Sequence, residues 1–218
     1  MTLDSRHRIP SPDECVLRPV LEKWAASQPD KVYLSQGTGR EVTYREMRDL
    51  SARTAAGLHR LGVRQGQTVV VWLPNGREHL RVFFAINWLG ATYVPINTAY
   101  KGRLLEHVLD NAGADLIVVH ADLAARLTEV DTATLRTAVV VGGDPMALGD
   151  LQVESAETLD APESMLPPLA APIEPWHMQS IIYTSGTTGP SKGVMSSYAH
   201  LHAMGGREAF HMLGHDDR

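Results

Sequence analysis

Apolar residues follow two alternating rhythms along this chain, one with the helical period of about 3.6 and one of short unbroken runs. The helical rhythm appears first over residues 18–27, where Val20, Leu21, Trp24 and Ala25 share a face. A short run at 32–35 reads as a strand. Thr43-Tyr44-Arg45-Glu46 then forms a capping box, in which the Thr43 hydroxyl accepts from the amide of Glu46 and the Glu46 carboxylate reaches back. The helix it opens carries Met47, Leu50, Leu58 and Leu61 and stops at Gly62. The valine-rich run 68–73 has the composition of a strand buried on both faces, and Pro74-Asn75-Gly76 ends it as a turn.

The alternation continues through a helix over 78–89 (Leu80, Phe83, Phe84, Trp88) and a strand over 91–96. A helix over 104–111 (Leu105, Val108, Leu109) ends at Gly113, and a buried strand follows over 115–119. A short helix over 121–127 and a strand over 137–141 complete the series. Strands alternating with helices predict an α/β fold of mostly parallel sheets covered by helices on both faces, joined by right-handed crossovers. Residues 82–100 hold no charge, yet Asn87, Gly90, Pro95 and Asn97 interrupt them and the period changes midway. They read as a buried helix and strand, not a membrane span.

Residues 144–175 break the rhythm with seven acidic residues, six prolines and no Lys or Arg. This composition predicts a solvated connecting segment between an α/β subdomain at 1–143 and the start of a second one at 176–218. No internal repeat is found.

Charge adds exclusions. The formal net charge is −5, from 25 acidic and 20 basic residues, which argues against a nucleic-acid or anionic-membrane surface. The first ten residues carry Asp4, Arg6 and Arg8 and no apolar core, so they do not read as a secretory signal. The single cysteine, Cys15, permits neither an internal disulfide nor a thiolate cluster. Together these predict a cytoplasmic protein.

The most informative stretch follows the apolar run Gln179-Ser180-Ile181-Ile182-Tyr183. It reads Thr184-Ser185-Gly186-Thr187-Thr188-Gly189-Pro190-Ser191-Lys192-Gly193. Glycines expose backbone amides and permit positive φ, four hydroxyls add donors, and Lys192 adds a full positive charge. Such a turn after a buried strand suits a polyphosphate. A flexible Ser/Thr/Gly linker seldom carries such a lysine or follows a buried strand directly. The spacing is not Walker A, because Ser191 stands where that pattern needs glycine and Gly193 where it needs Ser or Thr. It is not G-x-G-x-x-G either.

Tyr183 through Val194 resembles the AMP-binding signature of the acyl-adenylate-forming enzymes. Supporting resemblance lies in Val42-Thr43-Tyr44-Arg45-Glu46-Met47, in Leu61-Gly62-Val63 with Gly66-Gln67-Thr68-Val69, and in Leu89-Gly90-Ala91 with Val94-Pro95-Ile96-Asn97. The stretch from Pro95 to Gly102 is more similar to the CoA-ligase branch than to peptide-synthetase domains. The resemblance implies part of the large N-terminal domain of such an enzyme. It implies that Thr184, Ser185, Gly186, Thr187, Thr188, Gly189 and Lys192 hold ATP phosphates. It also implies ATP, Mg2+, coenzyme A and a carboxylic acid as reaction partners. Two departures stand out: Ser191 where many members have proline, and Ser197-Tyr198-Ala199-His200 where many have Ser/Thr-His-x-Asn. Family enzymes run to more than twice this length. The chain therefore reads as an N-terminal fragment without catalytic residues of its own, inactive alone, and its unpaired strand edges are expected to favour a homodimer. The alternatives are an adenylation domain of a peptide synthetase or other adenylate-former, and a non-catalytic phosphate-binding module.

Other candidates are weaker. His200-x-His202 and His211-x-x-x-His215 lack a third ligand. Nothing local activates Cys15 as a nucleophile. Trp24, Trp72, Trp88 and Phe83 lie on apolar faces and are expected in the core.

Overall fold

The computed structural model describes residues 8–37, 39, 41–132, 134–184 and 191–205. Two helices open the chain, α1 (Pro12–Cys15) and α2 (Leu17–Ser27). A small antiparallel pair follows, β1 (Val32–Leu34) with β2 (Val42–Thr43). Helix α3 (Tyr44–Arg60) starts at the capping box read from the sequence. The Glu46 amide donates to Thr43 Oγ1 at 3.2 Å and the Thr43 amide donates to Glu46 Oε2 at 2.9 Å.

The main sheet then forms from β3 (Thr68–Trp72), helix α4 (Arg77–Trp88), β4 (Thr92–Pro95), helix α5 (Gly102–Ala112), β5 (Leu116–His120), helix α6 (Ala121–Ala124) and β6 (Thr137–Val141). Three further strands, β7 (Gln152–Ser155), β8 (Met178–Thr184) and β9 (Lys192–Ser197), and helix α7 (Tyr198–Gly205) complete the described chain. The strand order is β7-β6-β5-β3-β4-β8-β9. Every pairing from β7 to β8 is parallel, and β8–β9 is antiparallel. This is the α/β architecture that the alternation predicts.

Why the valine runs are continuous is visible in the packing. Val69 and Val71 of β3, with Val118 of β5 and Val139 of β6, face α3 and α4. Val70 and Trp72, with Ile117, Val119 and Val140, face α5 and α6. Side chains alternate between the faces, and both faces are covered, so the central positions of these strands are all apolar. Helix α5 stops where Gly113 takes φ +58, a left-handed cap that suits glycine.

Residues 144–175 are more structured than their composition suggests. Strand β7 pairs parallel with β6, and 3-10 turns occupy Ala156–Leu159 and Glu163–Met165. Leu159 is fully buried against the α3 face of the sheet. Arg48 makes a two-pronged bond to Glu163, each contact 2.6 Å, and Arg53 reaches Asp160 at 2.6 Å. Acidic residues here pair with arginines of α3, which a reading of the segment alone does not reveal. Trp72 and Trp88 are buried as expected, but Trp24 is 38% exposed and stacks on Tyr44 with ring centroids 6.1 Å apart.

No helix among the described residues is long and apolar enough to cross a membrane. The last described strand, β9, ends the sheet among the described residues, with Val194 and Met195 exposed.

Candidate nucleotide-phosphate site

The site is built on the β8–β9 hairpin. Strand β8 enters the sheet beside β4, with Ser180 in register with Tyr93, and its Ile181 and Tyr183 pack on the α5 side. Thr184 pairs with Lys192, Tyr183 with Gly193 and Ile182 with Val194. Cross-strand partners share a face, so the Thr184 hydroxyl and the Lys192 side chain stand on the same side of the hairpin at its mouth. Both residues are exposed. Of the residues read as holding phosphates, Thr184 and Lys192 are therefore brought together. Ser185, Gly186, Thr187, Thr188 and Gly189 lie outside the described residues.

The mouth is tied by side chains. Ser191 is 6% exposed, and its Oγ donates to the Thr184 carbonyl at 2.8 Å, closing one flank of the turn onto the other. The Ser191 carbonyl accepts from His107 Nε2 on α5 at 2.9 Å. A carbonyl can only accept, so this nitrogen carries the hydrogen. One turn further along α5, Asn111 Oδ1 accepts from the Tyr183 hydroxyl at 2.7 Å. Burial pushes the Tyr183 phenol upward, so it stays a donor at neutral pH. Gly193 allows this arrangement. A Cβ there would stand 2.8 Å from Ile181 Cγ2 and 3.3 Å from Tyr183 Cζ, so the glycine makes room for the tyrosine ring.

Sequence reasoning passed over His107 and Asn111. Their one signal is a polar pair spaced i, i+4 on a helix whose neighbours Leu105, Val108 and Leu109 are buried. That spacing places both residues on one face but does not say what lies opposite.

Elsewhere, hydrogen-bonded ion pairs shift Glu14 downward and Arg48 upward, while burial shifts Tyr93, Tyr198 and Cys15 upward. The Cys15 thiol is pushed up to about 11 by burial, with nearby Glu14 and Asp13 adding to it, so it is not a thiolate at neutral pH. His200 and His202 are exposed on α7, while His211 and His215 lie outside the described residues. A cavity of about 480 Å³, lined by Leu34, Leu80, Phe83, Tyr93 and His79 among others, opens beside the C-terminal end of β3. His79 Nδ1 donates to the Leu73 carbonyl at 3.1 Å and Nε2 accepts from the Tyr93 hydroxyl.

The structure thus sets a lysine and a hydroxyl side by side at the C-terminal end of β8, the end of a parallel strand where ligands bind in open α/β sheets. The family model described as AMP-binding enzyme matches residues 21–218, and the chain belongs to that family. It is 34% identical over 179 residues to phosphinothricin tripeptide synthetase PhsC of Streptomyces viridochromogenes, covering 82% of this chain and 15% of that protein. It is 32% identical over 161 residues to 4-coumarate-CoA ligase 1 of Narcissus pseudonarcissus, covering 74% of this chain and 28% of that one. Among solved structures, the anthranilate CoA ligase AuaEII in complex with anthranoyl-AMP superposes with a TM-score of 0.71 at 26% identity, over 84% of this chain and 35% of that one. The chain thus spans about a third or less of the length of these relatives.

Proposed function

We propose that this chain is the phosphate-holding portion of an ATP-dependent carboxylic acid–CoA ligase. In the first half-reaction a carboxylate oxygen attacks the α-phosphorus of ATP. The bond to the bridging oxygen breaks, and its electron pair leaves with pyrophosphate. In the second, the thiol of coenzyme A attacks the acyl carbon, AMP departs with the C–O electron pair, and the thiol proton passes to solvent or a base. The observation that carries the reading is the placement of Thr184 beside Lys192 at the mouth of the glycine-rich turn. An ammonium group and hydroxyl and amide donors gathered at this point would neutralise charge growing on the leaving pyrophosphate. The residues from Ser185 to Gly189 belong to the same proposed grip. Magnesium would supply further charge neutralisation on the phosphates. No described residue is assigned to it or to coenzyme A.

The boundaries expected at 143 and 176 do not divide the sheet, because β7, β8 and β9 all pair into the same seven-stranded sheet as β3 to β6. The 218-residue chain alone is expected to have no turnover. A second reading, an adenylation domain that loads a carrier protein, is favoured by the match to a tripeptide synthetase.

Pyrophosphate exchange into ATP, measured on the protein carrying this chain with a panel of carboxylic acids, tests the reading. Exchange that falls at least 100-fold in Lys192→Ala, with acid binding little changed, supports the role given to Lys192. Equal losses in both would remove it. Thioester formation on free coenzyme A supports the ligase, and loading of a carrier protein alone supports the second reading.

A further inference from the structure

We propose that helix α5 is a clamp on the mouth of the glycine-rich turn, with Asn111 holding the strand that enters it and His107 holding the strand that leaves it. The proposal rests on the reading of that turn as the phosphate holder for its functional consequence, but its structural content stands separately. His107 and Asn111 are positioning residues, because they act through Ser191 and Tyr183 and not on a substrate.

Three bonds make the clamp. Tyr183 Oη donates to Asn111 Oδ1 at 2.7 Å, directly before Thr184. His107 Nε2 donates to the Ser191 carbonyl at 2.9 Å, directly before Lys192. Ser191 Oγ donates to the Thr184 carbonyl at 2.8 Å and joins the two strands. The four-residue spacing puts both α5 residues on one helix face, one above the other. The hairpin needs such support. Among the described residues, β8 pairs in register with β4 only at Ser180, four residues before Thr184, and no strand pairs with the far side of β9. The backbone ladder therefore fixes the two strands to each other more closely than it fixes the mouth to the sheet, where Ile181 and Tyr183 packing and the α5 bonds hold it. Tyr183 and Ser191 are 9% and 6% exposed, whereas His107 is half-buried and Asn111 exposed, so these bonds are sheltered from water mainly on the hairpin side.

The hydroxyl bond also gives Ser191 a purpose. Where a family member has proline at this position, the ring supplies stiffness but no donor. This chain exchanges ring stiffness for a cross-strand bond made by the side chain.

The test uses four substitutions. His107→Ala removes one clamp bond, and His107→Gln restores a donor at nearly the same place. Asn111→Leu removes the other acceptor at similar volume. Asp110→Ala, at an exposed position on the same helix, is the control. The first measurement is amide hydrogen exchange at Thr184 and at residues 191–193 of the chain. His107→Ala and Asn111→Leu are expected to speed exchange there about 5- to 30-fold, the effect of removing one hydrogen bond from a buried partner. His107→Gln should return it to within about 3-fold of the parent, and Asp110→Ala should leave it unchanged. The second measurement is pyrophosphate exchange in the protein carrying the chain. There His107→Ala should lower kcat/KM for ATP by about 5- to 30-fold without a matching change in KM for the acid, and His107→Gln should recover it.

Unchanged exchange at the mouth in both His107→Ala and Asn111→Leu overturns the clamp, whatever the activity. Faster exchange at the mouth with normal ATP kinetics overturns its functional consequence. Faster exchange at the mouth in a protein that never turns over ATP leaves the clamp standing and removes the reading of the turn. Global destabilisation is recognised by faster exchange at Val70 and Val118 in the central strands, and a variant showing it is replaced by the milder Asn111→Ser.

Discussion

Gly57 lies inside α3, where replacing glycine by alanine ordinarily adds about 1 kcal/mol of stability, because alanine gives up less backbone freedom on folding. At this position the opposite is expected. A Cβ on Gly57 would stand 2.5 Å from the Thr158 carbonyl oxygen, 2.6 Å from Leu159 Cα and 2.7 Å from Leu159 C. Ordinary carbon contacts lie near 3.5 Å or more, so one partner must move by about 1 Å. All three obstructing atoms are backbone, so no rotamer change relieves the overlap. The Ala156–Leu159 turn is itself anchored by Leu159, which is fully buried against the core beneath α3. The Arg53–Asp160 pair adds little, because both side chains are about half exposed. If the turn stays, strain costs about 1–3 kcal/mol, and if it lifts away, the chain forfeits burial of Leu159, worth about 2–5 kcal/mol. The cheaper route sets the cost, so setting the helix gain of about 1 kcal/mol against strain leaves Gly57→Ala less stable by about 0–2 kcal/mol, where an unobstructed site would gain about 1 kcal/mol. In urea, with a slope of about 2 kcal/mol per molar, the midpoint should fall by up to about 1 M. A double variant with Leu159→Ala separates the two routes. Additive losses mean strain, and sub-additive losses mean that the turn has already lifted. A Gly57→Ala chain more stable than the parent by the ordinary helix gain of about 1 kcal/mol refutes the close approach.

Two further outcomes follow from the same packing. Burial holds the His79 imidazole below its ordinary value of 6.5, so the folded state favours neutral His79. Stability from this group is therefore complete above pH 6.5 and falls as pH drops through the lowered value, and a pH series of urea midpoints should flatten at its acid end in His79→Gln. His59 shifts in the same direction, so His59→Gln is the companion measurement, and an unchanged acid slope in both variants would refute the assignment. Thr43→Ala removes the hydroxyl that accepts from Glu46 and should cost about 1 kcal/mol, read as a lower urea midpoint; no loss would mean that water caps the helix equally well.

The elements most legible from the residues were those whose cause is local. The capping box at Thr43 needs only two side chains three residues apart. The double-sided valine strands β3, β5 and β6 announce themselves because burial on both faces leaves no room for polar alternation. The Tyr183–Val194 signature is contiguous, so its chemistry could be named before any fold was known. Less legible was whatever depends on residues distant in the chain. The acidic stretch 144–175 looked like a solvated connector because its partners, Arg48 and Arg53, lie about a hundred residues earlier. Strand β7 has exposed and half-buried positions and too weak a hydrophobic pattern to stand out, and exists because β6 offers it an edge. The same holds at the phosphate site. The order of residues along the chain named the hydroxyls and the lysine, since a turn gathers neighbours. That His107 and Asn111 meet the two ends of that turn was settled by the sheet, which lays α5 across β8, because a hydrogen bond between residues 72 or 84 positions apart has no trace in local spacing.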